Sequence, residues 1–269
     1  MIKFQEKTAE NDVSIKFVLN NLSSMIQQGY MLEEKVSQKI FADIEAMILD
    51  SKHPIFPEID WQTMTWEISA NFEYRELWFA PKDWIHPKAE DGTVSITQSY
   101  AFFKLTHCNR EYNYNPNEEF QINNNRFPTA SFFRHDQGDI TIQFFLNYNL
   151  IRELSYQYNH LTKDVADLRT YRARQEWNKF RENTLIQYKN LENKGFELGK
   201  HGTFFEMKID AFDSELFIKE YEQGKLDKTL EPIKKVLKKV NESFDIFDDI
   251  QNKARKYYLD LDPILNQSI

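Results

Sequence analysis

Glu206-Met207-Lys208 places a carboxylate and a lysine two residues apart, on one side of a strand-like segment. Such a pair can share a divalent cation and activate a water for phosphodiester cleavage, provided a second carboxylate completes the metal site. Asp139, at the start of another strand-like segment, is the candidate for that role, because nothing strand-like with an aspartate lies between Asp167 and Glu206. The plainer reading is that Glu206 and Lys208 line the wet side of a half-buried strand. Thr203, Phe205, Met207 and Ile209 would then face the core, and Phe204, Glu206, Lys208 and Asp210 would face away.

A second constellation is basic. Arg169, Arg172, Arg174 and Arg181 are four of the ten arginines, and with Lys179 they oppose only Glu176 between positions 169 and 181. Planar guanidinium groups bind phosphate or carboxylate bidentately, and Tyr171 and Trp177 stand ready to stack. A binding set of Arg169, Arg172, Arg174, Trp177 and Arg181 follows. The competing reading is a solvated helix face whose arginines pair with the acidic run Asp245 to Asp249.

The remaining chemistry is sparse. The six histidines show no zinc-helix spacing, and His135, Asp136 and Asp139 surround a turn whose aspartates ordinarily bond their own backbone. The lone Cys108 has no partner for a disulfide or a cysteine-based zinc site and reads as a small packed side chain. Phosphate loop, dinucleotide fingerprint and serine elbow are all missing from a chain with seven glycines. Neither metal nor cofactor is expected. Aromatic residues crowd Trp61 to Trp84, and Trp78 and Trp84 are the ones expected at the surface, where they could stack on a base or a sugar.

These residues must be carried by a few long elements. Apolar spacing from Val13 to Ile26 and from Leu32 to Ile48 predicts a helical hairpin, with Gly29 as the left-handed end of its first arm. Alternation from Met64 to Tyr74 predicts a strand, and a parity slip near Arg75 and Glu76 predicts a bulge within it. Val94 to Thr106, apolar on both faces, predicts a central strand. Residues 113–125 read as an exposed Asn-rich loop. Phe132 and Phe133 would enter a hairpin that turns at Asp136 to Asp139 and returns through Ile140 to Tyr148.

A glycine-free and proline-free stretch predicts one helix from about Leu154 to Asn193. Its first seam is Leu154, Tyr158, Leu161, Val165 and Leu168, and a shifted one runs Trp177, Phe180, Thr184, Tyr188 and Leu191. The arginines fall where the phase changes. After a fifth strand come helices over Ser214 to Gln223 and about Lys228 to Tyr258.

Segregated strands and helices make the fold class α+β: an N-terminal helical hairpin, an antiparallel sheet of about five strands, one long helix and a C-terminal helical segment. The 269 residues suit a single domain, or a division into 1–150 and 151–269. A formal charge of -8 disfavours nucleic acid as the partner. Without an apolar leader or span, and with one cysteine, the chain reads as cytoplasmic and free of membrane contact. Its wealth of Asn, Lys, Ile and Phe points to a prokaryotic or phage source. With no coherent catalytic set, the reading leans away from an enzyme. It favours a non-catalytic binding or regulatory protein acting through protein contacts, with a partner or a second copy along the long helix. The alternatives are a divalent-metal nuclease on Glu206, Lys208 and Asp139, and a nucleic-acid-binding module on the arginine cluster.

Overall fold

A computed structural model describes residues 21, 24, 27–29, 31, 35–50, 59–65, 76–86, 94–108, 132–133, 139–153, 163–199 and 202–267. Side chains are described in these segments except at 65, 94, 107–108, 139, 149, 152–153, 163–174 and 258–267. The helices are α1 (Ser37–Leu49), α2 (Tyr148–Glu153), α3 (Lys163–Gln187), α4 (Ser214–Glu222), α5 (Glu231–Glu242) and α6 (Phe244–Gln267). The strands are β1 (Trp61–Thr65), β2 (Glu76–Pro81), β3 (Val94–Ser95), β4 (Ala101–Cys108), β5 (Asp139–Leu146), β6 (Glu197–Leu198) and β7 (Phe205–Ile209). The class is α+β, as the sequence predicts.

The sheet has the order β3-β1-β2-β4-β5-β7-β6 among the described residues. Six strands, β1-β2-β4-β5-β7-β6, pair antiparallel, and the two-residue β3 joins β1 in parallel. The segment Val94 to Thr106, expected as one central strand, is two: β3 at the sheet edge and, after the 3-10 turn Ile96–Gln98, β4 at the centre, with Phe103 and Leu105 on one face and Lys104 and Thr106 on the other. Register then assigns the faces. Phe79, Phe103, Phe144 and Phe205 stand opposite one another across β2, β4, β5 and β7, with Leu105, Ile142 and Met207 in the adjoining row.

Three helices cover that aromatic face. Ile44 and Ile48 of α1 meet Phe79, Ile142, Ile233 and Leu237 in the interior. Phe247 of α6 lies 5.1 Å from Phe103, 4.8 Å from Phe144 and 5.2 Å from Phe196 between ring centroids. Aromatic pairs at such separations add directional packing to the large apolar area they bury. No helix among the described residues is long and apolar enough to cross a membrane.

Several local expectations change. Met64 to Phe79 is not one strand with a bulge, since Met64 stands opposite Trp78 and Trp61 opposite Pro81 in an antiparallel pair, so the chain reverses between Thr65 and Glu76. Residues 66–75 lie outside the described set. The strand Asp139–Leu146 exists, but β4 and β7 are its neighbours, so Phe132 and Phe133 are not its hairpin arm. Instead the Phe132 carbonyl accepts from the Phe212 amide at 2.6 Å. Trp78 and Trp84, expected at the surface, are 6% and 1% exposed.

In the N-terminal hairpin, α1 is the expected second arm, and Ile40, Phe41, Ile44, Met47 and Ile48 are its buried face. The first arm falls mostly outside the described residues, though Gly29 is itself helical. The Asn-rich segment 113–125 also lies outside them. The long helix is helical over α3, ends in a 3-10 turn at Lys189–Lys194, and closes on Gly195 at φ 94. Its second seam is packed as expected, with Phe180, Thr184, Tyr188 and Leu191 buried, while its first lies on residues whose side chains are not described. The last predicted helix is two, α5 and α6. Ser243, buried with φ -115 and ψ 8, ends α5, and its carbonyl accepts from the Ile246 and Phe247 amides to start α6. The apolar spacing runs through Ser243 without a slip, so periodicity does not mark the break.

Candidate functional site

The sheet face opposite the one covered by α1, α5 and α6 carries the predicted catalytic pair. By register, Trp78, Lys104, Gln143, Glu206 and Glu197 form one row across the strands, and Glu76, Thr106, Thr141 and Lys208 form the next. These groups engage one another. Lys104 Nζ pairs with Glu76 Oε1 at 2.5 Å, Thr106 Oγ1 donates to the same oxygen at 2.9 Å, and Gln143 Nε2 donates to Glu206 Oε2 at 3.2 Å. Lys104 also lies 5.8 Å from the Trp78 ring centroid.

Asp139 does not stand opposite Glu206. Its register partner is Cys108, and it lies four residues along β5 from Gln143, the residue that does face Glu206. At ~3.3 Å per residue that is about 13 Å along the strand, too far for two carboxylates to share one cation. Among the described residues, no three His, Cys, Asp or Glu side chains gather at metal-sharing distance. His135 and Asp136 lie outside the described residues.

The arginine-rich helix divides into two parts. Arg169, Arg172 and Arg174 lie in the first half of α3, where side chains are not described. Trp177 packs into the protein's own aromatic cluster, 5.0 Å from Tyr148, 5.9 Å from Phe180 and 5.7 Å from Phe204. Arg181 is a clamp. Its Nη2 donates to the carbonyl oxygens of Gly199 at 2.5 Å and Thr203 at 2.8 Å, and its guanidinium lies 5.8 Å from the Phe204 ring centroid. Burial pulls its pKa below the ordinary arginine value, partly opposed by the charge of Glu182. Two of the five predicted binding residues therefore hold the fold: Arg181 ties α3 to the β6–β7 connection.

Asp248 and Asp249 of the acidic run are engaged as well, with partners other than arginine among the described side chains. Asp248 accepts from Trp84 Nε1 at 2.8 Å and from Gln251 and Asn252 at 3.0 Å each. Asp249 accepts from the Tyr188 hydroxyl and pairs with Lys253 at 2.9 Å. Glu176, the one acid inside the arginine cluster, pairs with Lys179 at 2.7 Å and accepts from the Tyr257 hydroxyl at 2.8 Å, joining α3 to α6.

The Lys179 and Tyr257 hydrogen bonds hold Glu176 below the usual glutamate range, and burial with that carboxylate pushes Tyr257 up to about 12. A raised tyrosine pKa stabilises the fold below the ordinary tyrosine value, and the contribution is lost as pH rises toward about 12. Glu176 runs the other way: its contribution is present above the ordinary glutamate value and fades as pH falls below it. Tyr257→Phe is therefore expected to be less stable than the parent at neutral pH, with the gap closing from pH ~10 toward ~12. Urea unfolding at stepped alkaline pH checks this, and a gap that stays constant over that window would refute the Tyr257 assignment.

One surface was missed by the sequence reading. Between α5 and the outer edge of the sheet lies a groove of about 430 Å³, lined by Met207, Val236 and Pro232, by Lys208, Lys235, Lys238 and Lys239, and by Glu197, Asp210 and Glu242. The sequence Ile233-Lys234-Lys235-Val236-Leu237-Lys238-Lys239-Val240 builds its wall. Ile233, Val236, Leu237 and Val240 face the core, which leaves an all-lysine outer face. That pairing of an apolar seam with paired lysines is the signal that could have located it.

Gly195 shapes the other wall. Its left-handed backbone ends the 3-10 turn, and a Cβ there would stand 3.0 Å from Lys239 Nζ and 3.6 Å from Met207 Cε. Glycine thus lets the Lys239 ammonium lie against the backbone. Lys234 reaches the Asp227 carbonyl, Lys238 faces Glu242 at 4.0 Å, and Lys194 donates to the Glu242 carbonyl. Lys235 and Lys239 make no hydrogen bond or ion pair with the described residues. Comparison with protein-family models, curated proteins and solved structures returns no match for this chain.

Proposed function

We propose that the protein is a non-catalytic binding or regulatory protein that works through protein contacts. One observation carries this reading. The charged groups of the sheet face and of the α3–α6 junction are engaged with one another, whereas the groove beside α5 keeps Lys235 and Lys239 without a partner among the described residues. Its volume of about 430 Å³ lies within the range of natural ligand clefts, and its mixed lining of apolar floor and charged rim is what a recognition groove needs. The nuclease alternative loses support from the separation of Asp139 and Glu206 along β5. The nucleic-acid alternative loses support from the engagement of Arg181 with two carbonyls and from the charge of -8. Composition supports a prokaryotic or phage setting and, through the single cysteine, a reducing compartment.

The test is a selection of displayed peptides on the folded, immobilised full-length chain. A protein-contact role is expected to enrich a recurrent sequence motif that binds the free protein in solution. A library that yields no motif above background would overturn it.

A further inference from the structure

We infer that the groove between α5 and β7 takes a short extended segment of a protein partner whose centre is acidic; this rests on the protein-contact reading above and names the partner's chemistry. The length of the groove favours a chain over a compact anion. Its lining runs along α5 from Pro232 to Glu242, and ten residues of helix at 1.5 Å each give about 15 Å. Four or five extended residues span that distance. A volume of about 430 Å³ drawn out over such a length is a trough. A lone phosphate would leave most of it empty.

The charges have an order along this trough. Gly195 places Lys239 beside Met207, and Ile209 and Ile233 line one interior space, so α5 and β7 run in opposite directions, with Pro232 and Asp210 toward one end. Lys235, Lys238 and Lys239 line the middle on the helix side, spaced three, four and one residues apart, with Met207 across from them on the strand. Asp210 stands at the Pro232 end, and Glu197 and Glu242 stand at the Gly195 end. The pattern is cationic in the middle and anionic at both margins. A segment complementary to it carries Asp or Glu at its centre and neutral or basic residues at its ends. A uniformly acidic chain, or a nucleic-acid backbone, would meet like charge at both margins. Met207, Val236 and Pro232 on the floor give the aliphatic parts of such side chains an apolar surface to cover.

The experiment uses the displayed-peptide library on the parent and on K235E/K239E, followed by fluorescence anisotropy with the enriched peptides. Enrichment of acid-centred peptides is expected, with binding weakened about tenfold or more in K235E/K239E, because each close charge pair across an interface contributes on the order of a tenfold factor. K235A/K239A, which removes charge without reversing it, is expected to fall between the two. K189E/K225E makes the same change in net charge away from the groove and is expected to bind within about twofold of the parent. Circular dichroism of each variant shows that the helices remain. Raising salt from about 50 to 300 mM should weaken binding severalfold, since exposed charges are screened within a Debye length of ~10 Å.

Three results would overturn the inference. Enriched peptides that are not acid-centred, or that bind K235E/K239E as tightly as the parent, would leave a protein-contact role intact and move it to another surface. Displacement of the peptide by millimolar inorganic phosphate or tripolyphosphate, in a lysine-dependent way beyond what matched ionic strength causes, would make the groove a small-anion site. A selection that returns no motif would remove both the groove assignment and the protein-contact reading.

Discussion

Trp84→Ala is expected to lower the unfolding free energy by about 4 kcal/mol, the middle of the range for removing a buried tryptophan. The indole is 1% exposed at the end of the 3-10 turn Lys82–Trp84. It stacks on Phe244 at 5.5 Å and 12° and on Phe103 at 5.9 Å and 26°, with Phe144 edge-on at 5.9 Å. Its Nε1–H donates to Asp248 Oδ1 at 2.8 Å, tying the β2 end of the sheet to α6. Alanine removes all four contacts and leaves a cavity among rigid rings, which cannot collapse into it. Trp84→Phe keeps most of the stacking and loses the hydrogen bond, so about 1–2 kcal/mol is expected. Urea denaturation at pH 7 measures both. A loss below about 2 kcal/mol for the alanine variant would mean that the sheet and α6 do not meet through this residue.

Arg181→Ala is expected to cost about 2–3 kcal/mol and to act locally before it acts globally. The variant leaves the Gly199 and Thr203 carbonyls without their donor, and hydrogen bonds to a charged group are worth about 1.5–3 kcal/mol each when well buried. Arg181 is only partly buried, so solvent replaces part of the loss, and the expected cost falls below the additive figure of about 3–6 kcal/mol. Arg181→Lys can supply one donor but not the planar fork, and it should recover less than half. The β6–β7 connection that Arg181 grips joins the two strands that carry Glu197, Met207 and Lys208 of the lysine groove. Amide exchange of Gly199 and Phe204, whose amides donate to Phe204 and Phe144, should therefore quicken more than exchange in β4. Equal quickening everywhere would show a global role and no local clamp.

Much of the fold was legible because its elements are long. The spacing of Ile40, Ile44 and Ile48 gave α1, and the seam from Phe180 to Leu191 gave the packed half of α3. A central strand ending at Thr106 was expected, but its first part was not legible as separate: Val94–Ser95 lies at the sheet edge and the turn Ile96–Gln98 divides it from β4. Strand pairing was less legible, for a physical reason. β2 is buried on both sides, with Leu77, Trp78, Phe79 and Ala80 all enclosed, so alternation carries no information about its face or its partner. A parity slip is then the same pattern for a bulge and for a reversal. The break at Ser243 was invisible because the same apolar seam serves both helices across it.

The site was legible in part. Glu206 and Lys208 do share one face of the sheet, the face opposite α1, α5 and α6, as the alternation required, but Gln143 occupies the place opposite Glu206 that a metal-binding partner would need. Arg181 and Trp177 looked like docking groups because composition cannot distinguish a guanidinium that binds a ligand from one that binds its own backbone. The lysines of α5 were passed over because paired lysines on an amphipathic helix are ordinary. What distinguishes Lys235 and Lys239 is the groove beside them, a property of three dimensions.

The most direct measurement is backbone amide chemical-shift mapping of the full-length chain titrated with the tightest acid-centred peptide from the selection. The largest shifts are expected at Gly195, Met207, Lys208, Val236 and Lys239, with the amides of Arg169, Arg172 and Arg174 unchanged. Shifts centred on those three arginines, with the amides beside α5 unmoved, would contradict the assignment of recognition to the groove.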